Sequence, residues 1–509
     1  MRQLVYGQLG GVSKQIELPP SFGGLNMRDS RAGMPPQDAI TMTNIISEPG
    51  GVKSRLGYSE FCTGLTGSVG FIREYINGVT LKMVVAAGSI LYEVTANGSA
   101  TALSSGYSNT DWMAAKMGST LVMVNGAEMV QYNGSATGGS AGAYTGDIST
   151  PGVDSMDGIH LHGSRLYFWD STTGDFFYGT TNAVQGAFAK FALSNVSTTG
   201  GNILMMQTIS RDGGNGADDF AAFLLSTGEV LVYQGTNPAS AATFALVGRY
   251  FIPPPVGKRS AARLGGDVLV LTQNDIISLS EVMKQATEAD GFLINPSKMA
   301  NGISNDFATY GTNSGWELVL YGKKSWIMVN IPETTGSTYH QYVNVSTTKA
   351  VSRFTNWDAF TFGTFNKSLY FGGSGVVYLA DSGTDDDGAT IFCKVQQAYS
   401  TFDIPNRKNV KSVTVRYTSD ADVAIGASVG YDYEDELVEN ITSTVTVGAE
   451  WDTATWDTAT WAGATQTRNI TYMVAGTGVA VSVTIAFEIQ GTQLTWLGTG
   501  MNFLPLAMI

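Results

Sequence analysis

Ser140 sits in Gly138-Gly-Ser-Ala-Gly142, the spelling of a nucleophile elbow, where a strained turn between a strand and a helix exposes the hydroxyl for attack. Here the serine belongs to Asn133-Gly-Ser-Ala-Thr-Gly-Gly-Ser-Ala-Gly142, small and turn-forming residues with neither strand before nor helical period after. A loop serine is expected. Gly213-Gly-Asn-Gly-Ala-Asp-Asp-Phe220 spells one nonapeptide calcium repeat, but such sites take ligands from stacked neighbouring copies. A single copy predicts a loop, from Gly200 to Asp219. Asp381-Ser-Gly-Thr-Asp-Asp-Asp-Gly388 clusters carboxylates without the alternating ligands and distant Glu of an EF-hand, and reads as a solvated acidic turn. His160 and His162, two apart, share one face of a strand, and with no Cys nearby ordinary packing is expected for them and for His340. Cys62 and Cys393 alone build no tetrahedral site and are read as reduced structural thiols. The Gly-Lys pairs at 257–258 and 322–323 have Ile252 and Glu317 where a phosphate loop needs its first Gly. No enzyme, no cofactor and no metal site is expected.

The elements that hold these residues are hairpins. Apolar, β-branched or aromatic runs meet a short Gly, Asn or Asp turn at Gly88–Val94, Leu121–Tyr132, Arg165–Tyr178, Phe223–Tyr233, Val268–Ile277, Trp316–Trp326 and Leu369–Tyr378. Successive hairpins close 40 to 55 residues apart. Such a period marks propeller blades, because one small sheet cannot bury both faces alone. The fold class is all-β: a β-propeller of six to eight blades over 52–395, a C-terminal β-sandwich-like domain over 396–509, and a short extended N-terminal arm over 1–51 with one helix near Pro36 to Asn44. Two unrelated sandwiches with evenly spaced hairpins are the alternative. A helical insertion is expected near 281–310, where Met299, Ile303 and Phe307 recur on one helical face. That face is either packed on its own blade or a subunit contact.

Composition agrees. Charged residues are 14% and glycines 61 of 509, a balance that favours strands and tight turns. The net charge of −14 disfavours ordinary DNA binding. Met1 to Tyr6 lead into polar and Gly residues without a secretory core, and Met83–Val94 is too short to span a bilayer. A cytoplasm-like compartment is expected. Trp451, Trp456 and Trp461 stand in a tandem repeat of five, a spacing that scatters them over both faces of a strand. Packing in the C-terminal domain and contact with a neighbouring subunit are both open for them.

Phe22-Gly-Gly-Leu-Asn-Met-Arg-Asp-Ser30, Met34-Pro-Pro36, Asn44, Glu48-Pro-Gly-Gly-Val-Lys-Ser-Arg-Leu-Gly57 and Trp496-Leu-Gly-Thr-Gly-Met-Asn-Phe503 resemble the tail nozzle, or tail tubular protein B, of short-tailed bacteriophages. The resemblance implies a hexameric tube on the virion tail, assembled in the host cytoplasm. It also implies attachment to an adaptor protein, proximity to tail fibres or spikes, and passage of double-stranded DNA without specific binding. For such a conduit the acidic turns, with Asp212, Asp218, Asp219, Asp385, Asp386 and Asp387, are candidates for the lumen, since basic contacts would retain a duplex. A carbohydrate-binding propeller without catalysis is the alternative function.

Overall fold

In a computed structural model, residues 13–212, 217–284, 296–434 and 465–506 are described. They divide into two compact units: unit 1 comprises Met1–Tyr58, Val343–Thr355 and Asp381–Ile509, and unit 2 comprises Ser59–Tyr342 and Asn356–Ala380. Strands are the main regular element of both. Among the described residues no helix is long and apolar enough to cross a membrane.

The seven expected hairpins fall in seven different sheets, six of three to five strands and one, with Glu317–Tyr321, of nine. Val69–Asn77, Thr80–Ala87, Ile90–Val94 and Ala100–Ser105 form the first, and Met113–Met117 opens the second. The later sheets open with Gly158–His162, Ile203–Asp212, Ala261–Leu264, Glu317–Tyr321 and Thr361–Phe365. Alternation places one face of each sheet against its neighbour. Tyr75 and Val84 of the first share a core with Trp112 and Met123 of the second. Val122 and Met129 then meet Ile159 and Phe168, Trp169 and Phe176 meet Met206 and Phe223, and Met205 and Val232 meet Val268 and Ile277. The Leu318 amide donates to the Arg259 carbonyl at 3.0 Å, and the Phe362 amide to Glu317 Oε2 at 3.0 Å, carrying the series onward. Phe365 and Val377 of the last sheet share a core with Val69 and Ile72 of the first. The succession is closed. Strand Tyr58–Cys62, which precedes the first sheet in the chain, supplies the outer strand of the last, beside Val377–Ala380.

In unit 1, Gln466–Gly478, Lys408–Ser419, Thr495–Pro505, Gly51–Ser54 and Ile45–Glu48 form one sheet, with Lys14–Leu18 also on Thr495–Pro505. A second runs through Ala350–Thr355, Gly24–Leu25, Asp38–Thr43, Ile391–Gln397, Val481–Ile489 and Ile425–Tyr431. Val52, Val415 and Trp496 of the first face Val395, Ile485 and Phe487 of the second across a nearly filled core.

Several expectations are corrected. The N-terminal segment is no separate arm, because its strands are edges and interior strands of sheets completed by the C-terminal region. Residues 36–44 form strand Asp38–Thr43, not a helix: the run lies between Gly24–Leu25 and Ile391–Gln397, and pairing on both sides overrides the capping signal. Gly200–Asp219 is mostly strand, since Ile203–Asp212 pairs along Ala217–Leu225. The helical insertion comprises Leu279–Val282 and Ala300–Tyr310 among the described residues.

Candidate functional site

The segments that carry the tail-protein resemblance, over 400 residues apart in sequence, meet in unit 1. Gly24–Leu25 runs parallel to both Asp38–Thr43 and Ala350–Thr355. Gly24 has φ +75°, and a Cβ there would stand 2.5 Å from the Val351 nitrogen, so only glycine fits. Behind it, Asn26 Nδ2 donates to Asp29 at 2.8 Å and to buried Asp38 at 2.7 Å, while Asn26 Oδ1 accepts the amides of Arg28 and Asp29 at 3.1 Å. The second motif centres on Arg55, 1% exposed. Its two terminal nitrogens grip Asp386 at 2.7 and 2.6 Å, Nε donates to Asn44 Oδ1 at 2.9 Å, and Nη2 also reaches the Thr355 carbonyl at 2.8 Å. Asn44 holds a left-handed φ of 54° and donates to Thr355 Oγ1 and the Phe392 carbonyl. Gly57 passes so close that a Cβ would lie 1.5 Å from the Asp385 carbonyl. The motif residues therefore fix a joint between chain segments, and their chemistry is spent on it.

Beside the joint, an open groove of about 540 Å³ is lined by Phe22, Glu48, Gly51, Thr495, Trp496 and Leu497 among others. Phe22 and Leu497 are 48% and 46% exposed, an apolar pair presented to the outside by the two ends of the motif set.

In unit 2 several polar groups gather on, or just before, the opening strands of the sheets. Asp111, before Met113–Met117, pairs with Lys258 at 2.8 Å and Arg259 at 2.9 Å, and Arg259 Nη1 donates to Thr361 Oγ1 at 3.0 Å. Asp111 precedes Met113–Met117, Lys258 and Arg259 precede Ala261–Leu264, and Thr361 opens the last sheet, so segments far apart in sequence are joined here. Burial, partly offset by Arg259, raises the Glu317 carboxyl above the ordinary range. His160 Nε2 and His162 Nδ1 both lie 3.0 Å from Thr208 Oγ1, and His162 Nε2 lies 3.2 Å from the Gly235 carbonyl. Elsewhere buried Glu229 accepts from Ser197, from the amides and hydroxyls of Thr198 and Thr199, and faces Arg249 Nε at 3.0 Å. Burial alone would raise its carboxyl, but these donors hold it below the ordinary range.

The other sequence candidates separate. Ser140 is exposed before the short turn Ala141–Ala143, with only its carbonyl engaged. Met299 and Ile303 are buried in unit 2 and Phe307 rests 5.9 Å from Trp316, which corrects the subunit-contact alternative for Met299 and Ile303: they hold the helix to its own unit. His340, also buried, lies between Glu333 Oε1 at 2.7 Å and Asp306 Oδ2 at 3.1 Å and pins that helix. Asp386 is no lumen residue, being buried against Arg55, while Asp385 accepts the Gly388 amide at 2.8 Å and Asp387 is exposed. Asp219 is exposed and accepts the Ser210 hydroxyl at 2.5 Å. Asp212 and Asp218 lie on the paired strands, their side chains outside the description, and Trp451, Trp456 and Trp461 lie outside the described residues. Both thiols are buried and free, and burial raises each above the ordinary range. Among the described residues no group of His, Cys, Asp and Glu is arranged to hold a metal ion. Missed by sequence reading were Arg73, Arg263 and Thr208, whose one signal is a polar residue inside a short strand, and Arg259, which lies in a turn and left no signal.

No family model and no curated protein matches the chain. Among solved structures it is similar to BBS1N in complex with ARL6DN, at 12% identity and a TM-score of 0.38 over 64% of this chain and 97% of that one. It is also similar to PorZ of the Porphyromonas gingivalis type-IX secretion system, at 12% identity and 0.39 over 81% and 60%. The extracellular domain of BT4673 from B. thetaiotaomicron gives 10% identity and 0.41 over 85% and 60%. Likenesses at these scores leave the fold to be read from the chain's own sheets.

Proposed function

We propose that this chain is a non-enzymatic structural subunit of a short-tailed phage tail, forming with copies of itself the distal nozzle through which DNA is ejected, with unit 2 a seven-bladed β-propeller. The observation that carries the reading is the joint in unit 1. The residues behind the resemblance come together from both ends of the chain, at positions where glycine is obligatory or a side chain is fully engaged. Chance similarity of composition has no reason to select such positions. The blade reading is supported by the closed succession of sheets and by Tyr58–Cys62, which completes the last sheet with a strand from before the first. Closing a ring in this way removes the unpaired edge that a linear array would leave.

The groove with Phe22 and Leu497 is the proposed contact for the adaptor or a neighbouring copy, because paired exposed apolar side chains in a concavity favour association over solvent. Asp219 in unit 2 and, separately, Asp385 and Asp387 in unit 1 are the candidates for a DNA-facing wall. Negative-stain imaging and mass measurement of the purified protein, with antibody labelling of virions, test this. Hexameric rings and a labelled tail tip are expected. A strictly monomeric protein absent from virions that binds a glycan overturns it in favour of a carbohydrate-binding propeller, and tight duplex binding at physiological salt overturns the conduit.

A further inference from the structure

Four strands of unit 1, Lys14–Leu18, Thr495–Pro505, Lys408–Ser419 and Gln466–Gly478, lie side by side in that order and alternate in direction. Their register is continuous. One row runs Glu17–Gly500–Thr414–Thr471, with the Thr414 and Thr471 hydroxyls 2.8 Å apart, and the next runs Ile16–Met501–Val413–Tyr472. Met501 and Val413 are fully buried, so the second row faces the core and the first faces away.

Among the described residues both flanks of this block are open. Lys14–Leu18 pairs only with Thr495–Pro505, and Gln466–Gly478 only with Lys408–Ser419. Edge strands of soluble proteins are commonly kept short or blunted by lysine, proline or a bulge. Gln466–Gly478 is 13 residues long, has neither lysine nor proline, and is uncharged from Asn469 to Ala475. Its ladder runs without a bulge from Gln466 to Met473. The core-side Ile470 and Tyr472 stay half-buried, as do Ile16 and Leu18 on the other flank, and one more strand on each side would cover them.

Strand number decides what fits. A block of four alternating strands begins and ends on opposite senses. A second block set beside it in the same orientation therefore brings Lys14–Leu18 against Gln466–Gly478 antiparallel, with core sides matched. We propose that strand Lys14–Leu18 of one copy of this chain adds to the open edge of Gln466–Gly478 of the next, joining the blocks into one belt. The joint is head-to-tail, each copy giving one flank and receiving on the other, an arrangement that can close into a ring. The ring itself rests on the nozzle reading. Pro20 and Phe22, just past the end of Lys14–Leu18, line the groove with Leu497, so the exposed apolar pair continues the same flank.

Cysteine pairing in the full chain is the test, with the native Cys62 and Cys393 buried. Gln15→Cys is co-expressed with Asn469→Cys, Thr471→Cys or Met473→Cys, all at exposed positions, and the product is oxidised. Within one chain the two flanks are three strand spacings, ~14 Å, apart. A disulfide needs Cβ atoms about 4 Å apart, so a link must join copies in direct register. At least one mixture should give a reducible dimer and no variant alone should do so, while both substitutions in one chain should give a ladder ending in a closed ring. Self-linking of an edge variant alone means two-fold pairing of Gln466–Gly478 and overturns the proposal. Rings that form with no cross-link also overturn it and leave the nozzle reading standing. A cross-linked ladder from a protein absent from virions does the reverse, upholding the edge joint against the nozzle. A protein monomeric at every concentration overturns both.

Discussion

Unit 1 and unit 2 use arginine in opposite ways. Arg55 in unit 1 is fully desolvated, paired bidentately with Asp386 and bonded to backbone carbonyls, so nothing of its charge is left for a ligand. Arg73 in unit 2 is exposed on an opening strand with no partner among the described residues. The same side chain is a rivet in one place and an open donor in the other. What decides between them is whether a carboxylate and carbonyls close around the fork.

That contrast can be broken from its structural side first. Asp386→Ala leaves the Arg55 charge buried without its partner, and a loss of about 3–5 kcal/mol is expected, read as a lower midpoint of chemical denaturation. Hydrogen exchange should locate the loss in unit 1, with the Val122 and Leu231 amides of unit 2 still protected. An Arg55→Met, Asp386→Leu pair should recover much of it, since two apolar groups of similar volume leave no orphan charge. Glu60→Pro, in the strand that closes the last sheet of unit 2, is expected to cost up to about 3 kcal/mol, with lost exchange protection at Val377–Ala380. Retained protection there would mean that Tyr58–Cys62 is not needed for closure.

Glu229→Gln is expected to cost about 1–3 kcal/mol at neutral pH, because a neutral amide cannot satisfy so many donors. The wild-type contribution is fully present above the ordinary Glu value near ~4.3 and lost as pH falls through the lower folded value. The stability of the variant should therefore change less over that acid range. His160 responds to acid in the same direction, over a window that begins at higher pH. The unfolded chain takes up a proton near ~6.5 that the folded site refuses until about 3, so wild-type stability falls between those values. His160→Gln should flatten that slope, measured as the midpoint against pH.

Legibility in the sequence followed distance along the chain. The hairpins were readable because both strands and the turn lie within a dozen or so residues, and period-two alternation with a Gly or Asn turn is a local signal, as in Phe223–Tyr233. Asp38–Thr43 was misread as helical because its pairing partner Ile391–Gln397 lies some 350 residues away, beyond any local pattern. In Ile203–Asp212 the polar Gln207, Thr208 and Ser210 blurred the strand into the following glycines, although Ile203, Met205, Met206 and Ile209 are all buried. The motif residues were visible as a set, yet that Asn44 and Arg55 share one buried network with Asp386 needed coordinates. Arg73 and Arg263 left only the trace of isolated charges in short strands.

Strand Tyr58–Cys62 also sets a timetable. On a ribosome adding ~5–20 residues per second, the complement Val377–Ala380 emerges roughly 15–60 s later. Through that interval the earlier sheets can collapse in order, each on its predecessor, while the apolar Phe61 and Cys62 wait without a berth. Synthesis thus exposes a sticky segment long before its seat exists, and a waiting strand can pair with the wrong chain. Crowded polysomes would turn that delay into strand exchange between nascent copies, so yield during expression should depend on translation speed and on chaperone occupancy more than on the stability of the finished molecule.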